Sequence, residues 1–119
     1  MGIQIFGTTK CFDTKKAERW FSERHISVQK IDLKQKGISK SELESVFAAL
    51  AHRLGSKDDA IEALINSKAK NYASIAYLED EDKLEKLLED QSLLCTPIVR
   101  NGRTDATVGF CPEIWKTWN

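Results

Sequence analysis

The spacing of apolar and polar positions changes several times along the chain, and each change marks a predicted element. Apolar and polar residues alternate over GIQIF, residues 2–6, and the run ends at Gly7, which predicts a first β-strand. From residue 12 to about 24 the spacing becomes helical, and ISVQKIDL, residues 26–33, returns to alternation. A strand–helix–strand order implies a right-handed crossover between two parallel strands.

Between residues 39 and 90 the apolar positions recur mainly at helical spacing. Ser39 followed by Glu42 is a capping-box signature for the start of a helix. Gly55 is expected to stop this helix, and Ser56 to cap another one. The first of these helices is predicted to carry a row of apolar residues: Leu43, Val46, Phe47, Leu50 and Leu54.

The rest of the chain predicts a loop, a helix, a hairpin and a final helix. NSKAKNYAS, residues 66–74, is typical of a loop, and DEDKLEKLLEDQ, residues 80–91, of a helix with acids in its first turn. Two short strand patterns in residues 96–110 surround Asn101-Gly102, a strong hairpin signal. PEIWKTW, residues 112–118, predicts a short helix that begins with a proline.

The resulting element order is β-α-β, a helical insertion, then β-β-α. This order predicts an α/β fold with a thioredoxin-like, mixed four-stranded sheet covered by helices on both faces. No linker or repeat interrupts the chain. We therefore expect residues 1–119 to form a single domain, with the helical insertion at about residues 39–90.

Composition and charge exclude several classes of protein. Apolar residues make up 41% of the chain and charged residues 30%, which favours a globular protein over a disordered or membrane one. Eighteen basic residues balance eighteen acidic ones, so no overall field favours nucleic acid or an anionic membrane. No apolar leader follows Met1. We expect a monomer in the cytoplasm.

The three cysteines, Cys11, Cys95 and Cys111, do not fit a disulfide framework or a metal site. Their number is odd and their spacing wide, unlike the frameworks of small secreted domains. No CxxC pair is present, and His25 and His52 are isolated, so no metal is expected.

Cys11 lies a few residues after the first strand, where the next helix begins. The free amides of a helix start stabilise a thiolate and lower its pKa. Lys10, together with Lys15 or Lys16, adds positive charge, and Thr14 is placed to donate its hydroxyl to the sulfur. The alternative is an inert, buried cysteine beside a solvated lysine face.

Motifs at both ends of the chain carry a resemblance to a known family. IQIFGTTKCFDTKKAERWFSER, followed by IDLKQKGISKSEL, resembles the N-terminal half of the arsenate reductase family of ArsC/Spx type. The ending CTPIV…ATVGFCPEIW is similar to that family's late proline, hairpin and final helix. The order and spacing agree over nearly the whole chain, and residues 52–80 match poorly.

This resemblance implies a reductase with no bound cofactor. Cys11 would attack arsenate and then be reduced with glutathione as co-substrate, through glutaredoxin or through thioredoxin-like partners. Pro97 would match the family's cis-proline facing that cysteine, while a trans proline at the start of a strand is the alternative.

The chain departs from the family at its anion-binding arginines. Thr96 stands where these reductases carry an arginine before the proline, Lys68 where they carry a second, and Cys111 near a third. Threonine and lysine lack the planar bidentate donors that suit an oxyanion. Arg100 is a further anion-binding candidate, although both it and Arg103 flank the hairpin turn and are expected to be solvated.

Two functions follow. The first is a thiol-dependent oxidoreductase in which Cys11 attacks an oxyanion, a disulfide or a glutathione adduct. The second is a non-catalytic regulator of the Spx kind, which would bind the RNA polymerase α subunit rather than nucleic acid directly. Spx-type proteins sense oxidation through CxxC, and Thr14 replaces the second cysteine. Cys95, two residues before Pro97, is a candidate resolving thiol, and structural burial is the alternative.

Overall fold

The computed structural model describes residues 2–70 and 72–118. Its N-terminal part forms a strand–helix–strand unit of β1 (Ile3–Gly7), α1 (Phe12–Glu23) and β2 (Val28–Asp32). The two strands are parallel, which confirms the prediction from element order.

Among the described residues, three α-helices lie between β2 and the last two strands, and the first two begin at the predicted caps, Ser39 and Ser56. They are α2 (Lys40–Leu54), α3 (Lys57–Leu64) and α4 (Asp80–Glu89). The Ser39 side chain accepts the amide of Glu42, and the Glu42 carboxylate accepts the amide of Ser39, which completes the capping box.

The end of α2 agrees with the prediction, since the helix includes Leu54 and stops at Gly55. Gly55 ends the helix in the left-handed conformation, with φ of 78°, and Ser56 caps α3 by accepting the amide of Asp59. Leu54 is 45% exposed, because the helix ends before another element covers that side. Residues 66–74 form turns and a short 3-10 segment as predicted, except that Asn71 of this loop lies outside the described residues.

The C-terminal part contains the predicted hairpin and final helix. Strands β3 (Ile98–Asn101) and β4 (Asp105–Val108) are antiparallel, and α5 (Pro112–Trp115) follows with its proline in the first turn. The turn differs from the simple Asn-Gly type, because Asn101 pairs with Asp105 inside the ladder. Three residues, 102–104, therefore connect the strands.

The four strands form one mixed sheet in the order β2-β1-β3-β4. Strand β3 runs antiparallel to the central strand β1, with Ile98 opposite Phe6. This is the thioredoxin-like arrangement predicted from the sequence. The carboxyl end of β1 and the amino end of β3 therefore meet at one edge of the sheet.

Helices cover both faces of the sheet. Alternate side chains of β1 enter different cores, with Ile5 on one face and Phe6 on the other. The core on the α1 and α5 side consists of these buried residues: Ile3, Ile5, Ala17, Trp20, Phe21, Val99 and Trp115. The larger core lies on the side of α2, α3 and α4.

A side-chain amide joins the loop after β2 to the segment that leads into β3. Gln91 donates from Nε2 to the backbone oxygen of Ile38 at 2.9 Å, and its Oε1 accepts the amide of Ile38 at 2.8 Å. Gln91 thus pairs with both backbone groups of one residue, as a neighbouring strand would. This clamp fixes the start of the chain segment that carries residues 95–97.

Candidate active site

Cys11 occupies the N-cap position of α1. Strand β1 ends at Gly7, and the short loop that follows closes when the Cys11 amide donates to the oxygen of Thr8 at 3.2 Å. The backbone of Cys11 is extended, with φ of −82° and ψ of 117°, as expected for an N-cap residue. Its side chain therefore lies beside the first free amides of the helix.

The segment before β3 brings Thr96 to the same place. The Thr96–Pro97 peptide bond is cis, and the oxygen of Pro97 accepts the amide of Gly109 at 2.8 Å. Since the ends of β1 and β3 meet at this edge of the sheet, Thr96 lies next to Cys11. The Cys11 Sγ donates to the backbone oxygen of Thr96 across 3.6 Å.

The surroundings of Cys11 lower the pKa of its thiol. Partial burial raises the pKa, but hydrogen bonds from the side chains of Thr14 and Thr96 and from the amides of Thr14 and Asp13 outweigh it. In the thiol form, Sγ makes no capping hydrogen bond of normal geometry, because it points to Thr96. The thiolate has no proton to donate to the Thr96 oxygen. We infer that these four groups then donate hydrogen bonds to the thiolate.

Thr14 is the donor that the fold holds most firmly. Thr14 is 4% exposed, and its Oγ1 has no hydrogen-bond partner of normal geometry among the described residues. The side chain packs directly on Gly7, where a Cβ would collide with both Oγ1 and Cγ2. The small residue at the end of β1 therefore allows Thr14 to approach the site.

The lysines contribute less than the sequence suggested. Lys10 and Lys15 are exposed, and the lowered pKa of Cys11 is due to hydrogen bonds rather than to their charge. The ammonium of Lys16 pairs with Asp13 at 3.8 Å. The thiolate-stabilising residues that the structure brings to Cys11 are thus Thr14, Thr96 and the helix start.

The two anion-binding candidates lie in different places. Arg100 donates to Gln4 Oε1 at 2.6 Å and to Ser45 Oγ at 3.3 Å, so it is partly buried against α2. The prediction that Arg100 is solvated is therefore wrong. Its strand partner is Gln4, three residues before the end of β1. The structure therefore does not bring Arg100 to Cys11.

Lys68 is exposed in the turn after α3, where its amide donates to Asn66 Oδ1 at 3.0 Å. This turn is held to the segment before Thr96, because the Asn66 amide donates to the oxygen of Leu93 at 2.7 Å. Lys68 therefore lies beside the chain segment that carries Pro97, with its side chain in solvent.

The three cysteines are free thiols with different environments. Burial raises the pKa of the Cys95 thiol, and the Cys95 amide donates to the oxygen of Leu64 at 2.8 Å. Burial also raises the pKa of Cys111, against the opposing effects of Arg53 and Thr107. The Cys111 thiol donates to the oxygen of Val108 at 3.4 Å. Cys11 is the thiol whose pKa is lowered.

Two exposed aromatic residues at the N-terminal half of α1 escaped the sequence analysis. Phe12 is 74% exposed and Phe110 is 36% exposed, and Lys16 Nζ lies 5.8 Å from the centre of the first ring and 4.6 Å from the second. A helical projection of α1 would have found Phe12, which lies off the apolar face formed by Ala17 and Phe21. Phe110 comes close only through the hairpin, and no local pattern signals that.

Metal and membrane sites are not evident in the described part of the chain. No three His, Cys, Asp or Glu side chains of residues 2–70 and 72–118 are grouped as ligands of a metal ion. Within the same residues, no helix has the length and apolar character needed to cross a bilayer.

Known proteins resemble this chain in sequence profile and fold. Residues 6–118 match the profile of the ArsC family, whereas no curated protein matches the chain. An arsenate reductase from Vibrio cholerae superposes with a TM-score of 0.78 at 22% identity, over 96% of this chain and 94% of that one. SACOL0876 from Staphylococcus aureus COL superposes with a TM-score of 0.74 at 26% identity, over 97% and 96%.

Proposed function

Since the chain belongs to the ArsC family, a family of thiol-dependent oxidoreductases, we propose that Cys11 is its catalytic nucleophile. The observation that carries this proposal is the position of Cys11 at the N-cap of α1, against Thr96 and the cis-proline, with a lowered pKa. A thiolate rather than a thiol attacks sulfur, so a lowered pKa raises the reactive fraction at neutral pH.

The reaction we propose is thiol–disulfide exchange. The Cys11 thiolate attacks one sulfur of a disulfide or glutathione adduct and forms a mixed disulfide, and the other sulfur leaves as a thiolate that takes a proton from solvent. A first glutathione thiolate displaces the substrate sulfur from Cys11, and a second then releases Cys11. Two glutathione molecules supply the two electrons and end as glutathione disulfide.

A disulfide or glutathione adduct fits the site better than arsenate. The five arginines have these positions: Arg19 with Glu23, Arg24 over Trp20, Arg53 with Asp105, Arg100 with Gln4 and Ser45, and Arg103 in the hairpin turn. None of these contacts involves Cys11. A multiply charged oxyanion would therefore meet hydroxyls and amides but no guanidinium.

Glutathione, delivered directly or through glutaredoxin or thioredoxin, is the proposed reductant. Burial raises the pKa of both Cys95 and Cys111, which makes either of them a poor resolving nucleophile at neutral pH. A reducing compartment would keep all three thiols free, so we place the protein in the cytoplasm. We also propose that residues 1–119 act as a single-domain monomer.

A coupled assay tests the function. Reduction of hydroxyethyl disulfide by glutathione, with glutathione reductase and NADPH as reporter, is measured for the wild type and for Cys11→Ser, with and without glutaredoxin. Cys95→Ser is the matched control. We expect turnover that Cys11→Ser abolishes and Cys95→Ser retains, and little turnover with arsenate. Equal turnover in the wild type and Cys11→Ser would refute the role of Cys11.

The lack of a guanidinium at Cys11 also favours the second candidate, a regulator that binds the RNA polymerase α subunit. Such a protein would not use a CxxC switch, because Thr14 stands at the second position. Binding to the isolated α C-terminal domain, together with no turnover in the coupled assay, would favour this function over the first.

A further inference from the structure

Two exposed aromatic residues of this chain, Phe12 and Phe110, lie at the N-terminal half of α1, the helix that Cys11 caps. In the part of the chain that the structure describes, four large apolar side chains are at least about a third exposed: Phe12, Leu54, Tyr77 and Phe110. Of these four, Phe12 directly follows Cys11 in the chain, and Phe110 lies near Lys16 on the same helix. A single exposed apolar residue is normal, whereas paired aromatic residues at a site are typical of recognition surfaces.

The two rings form one patch, which we call the aromatic patch and define as Phe12, Lys16 and Phe110. The Lys16 ammonium lies 5.8 Å from the centre of the Phe12 ring and 4.6 Å from that of Phe110, so it links the two rings. Phe110 is held from below by an edge-to-face contact with buried Trp115, at 5.5 Å between ring centres. Phe12 is the first residue of α1 and directly follows Cys11. Both rings thus project from fixed backbone, which lowers the entropy cost of binding.

Lysines close to Cys11 in the chain supply positive charge at the start of α1, although Lys15 also lines a cleft with Glu18 and Asp32. Lys10 and Lys15 are exposed and form no ion pair with the described residues, while Lys16 is balanced by Asp13. A second copy of this chain would present the same lysines to its partner and be repelled. An acidic partner is complementary to this surface.

We propose that the substrate of Cys11 is a disulfide carried by a polypeptide, with apolar and acidic side chains near the attacked sulfur. The inference rests on the proposed function of Cys11 and adds the class of substrate. Apolar side chains of the partner pack on Phe12 and Phe110, and its carboxylates lie near Lys10 and Lys15. A small disulfide covers only part of this surface and gains little from it.

The reaction on the polypeptide follows the exchange chemistry given above. The Cys11 thiolate bonds to the polypeptide sulfur, and the second sulfur of that disulfide leaves as a thiolate and is protonated by solvent. Two molecules of glutathione then reduce the mixed disulfide in two exchanges and become glutathione disulfide. The polypeptide and Cys11 both end as free thiols.

Two matched peptides test this proposal. Each carries one cysteine in a disulfide with a fluorescent thiol, flanked by leucines, and by glutamates in one peptide or lysines in the other. Single-turnover rate constants for both peptides and for hydroxyethyl disulfide are measured with the wild type, Phe12→Ala, Phe110→Ala and the control Tyr77→Ala. Tyr77 is 95% exposed in the loop before α4, so its loss removes an exposed ring outside the aromatic patch.

We expect the acidic peptide to react about tenfold faster than the basic one at low salt, with a ratio that falls as salt is added. Phe12→Ala should lower the ratio of the acidic-peptide rate constant to the hydroxyethyl disulfide rate constant by about tenfold, the effect of truncating an interface anchor. Phe110→Ala should act in the same direction, and Tyr77→Ala should leave the ratio unchanged.

The proposal is overturned if the ratio in Phe12→Ala equals that of the wild type, or if the two peptides react alike at low salt. If hydroxyethyl disulfide does not react with the wild type at all, the proposed function fails, and this inference fails with it. Self-association of the wild type that Phe12→Ala abolishes, seen by sedimentation, would assign the aromatic patch to a second copy instead. Phe12 is mostly exposed, so Phe12→Ala is expected to fold, and its unfolding midpoint is the check.

Discussion

The hydroxyl of Thr14 is expected to stabilise the Cys11 thiolate, and Thr14→Val removes that hydroxyl with little change of shape. The hydroxyl has no hydrogen-bond partner among the described residues, so its loss breaks no hydrogen bond seen in the structure. In the thiolate form it donates to Sγ and lowers the pKa of Cys11. The substitution should therefore raise the pKa of Cys11 while the fold stays intact.

The size of the effect follows from the strength of a hydrogen bond to a charged group. Such a bond contributes about 1.5–3 kcal/mol, and we take about 1.4 kcal/mol because Cys11 is partly exposed and solvent screens its charge. That energy lowers the thiolate fraction about tenfold at pH values below the pKa. The remaining thiolate is more basic and attacks a disulfide about threefold faster, since reactivity rises with pKa with a coefficient of about 0.4–0.5.

These two effects predict a crossover with pH. With dithiodipyridine as the probe, Thr14→Val should react about three- to fourfold more slowly than the wild type at acidic pH. Above the pKa of both proteins it should react about threefold faster. Stopped-flow traces across the pH range measure both limits, and Thr14→Ser, which keeps a hydroxyl, is the matched control. Rates reduced by the same factor at every pH would show damage to the site and refute the reasoning.

Protein stability gives an independent measure of the same interaction. Because the pKa of Cys11 is lowered by folding, the thiolate stabilises the fold above the pKa of an unfolded cysteine, and this contribution is lost as the pH falls through the folded-state pKa. Thr14→Val should thus lower the free energy of unfolding at alkaline pH only. At acidic pH it should leave that energy equal or higher, since it removes an unpaired buried hydroxyl.

Two further substitutions test how the fold supports the site. Gly7→Ala places a methyl group against the Thr14 side chain, so it should slow the reaction of Cys11 with dithiodipyridine at acidic pH and lower the thermal midpoint; an unchanged rate would mean that Thr14 needs no such close packing. Gln91→Leu leaves the amide and oxygen of Ile38 without partners, and it should lower the free energy of unfolding in urea by about 2–4 kcal/mol. A loss below about 1 kcal/mol would show that water replaces the Gln91 clamp.

Local patterns along the chain were sufficient to predict most of the helices and strands of the fold. The capping box at Ser39, the αL stop at Gly55 and the proline that opens α5 depend on residues within one or two turns, so the sequence alone predicts them. Asn101 shows where that approach ends. Its side chain is typical of a turn, but antiparallel pairing with Asp105 places it in the ladder, and pairing register is not visible in a short motif.

Buried charge is the clearest feature that the sequence could not give. Lys83 on α4 has acidic neighbours in the sequence, yet it is 8% exposed and pairs with Glu62 of α3 at 3.4 Å. The pair forms only when the two helices pack together. An ion pair between residues 21 positions apart leaves no periodic signal in either helix.

In the candidate site too, the contacts that could be predicted are local, and those that could not are between residues distant in the chain. Cys11, the helix start and Thr14 lie within four residues, so helix geometry predicts their meeting. Thr96 lies 85 residues away and was found only through the resemblance to a family. Arg100 was misplaced because it was assumed to be solvated near the hairpin turn, whereas its guanidinium is bonded to Gln4 and Ser45.

The unpaired hydroxyl of Thr14 explains how a site with few charges lowers a thiol pKa. A buried donor without a partner costs about 1–3 kcal/mol, and a Cys11 thiolate would offer the Thr14 hydroxyl the acceptor that it lacks among the described residues. Exposed lysines stabilise the thiolate only weakly, because solvent and salt screen their charge, so they contribute little to the lowered pKa. We therefore expect the thiolate fraction of Cys11 at a given pH to change little with salt. The proposed recognition of an acidic polypeptide by Lys10 and Lys15 should, in contrast, weaken as salt is added.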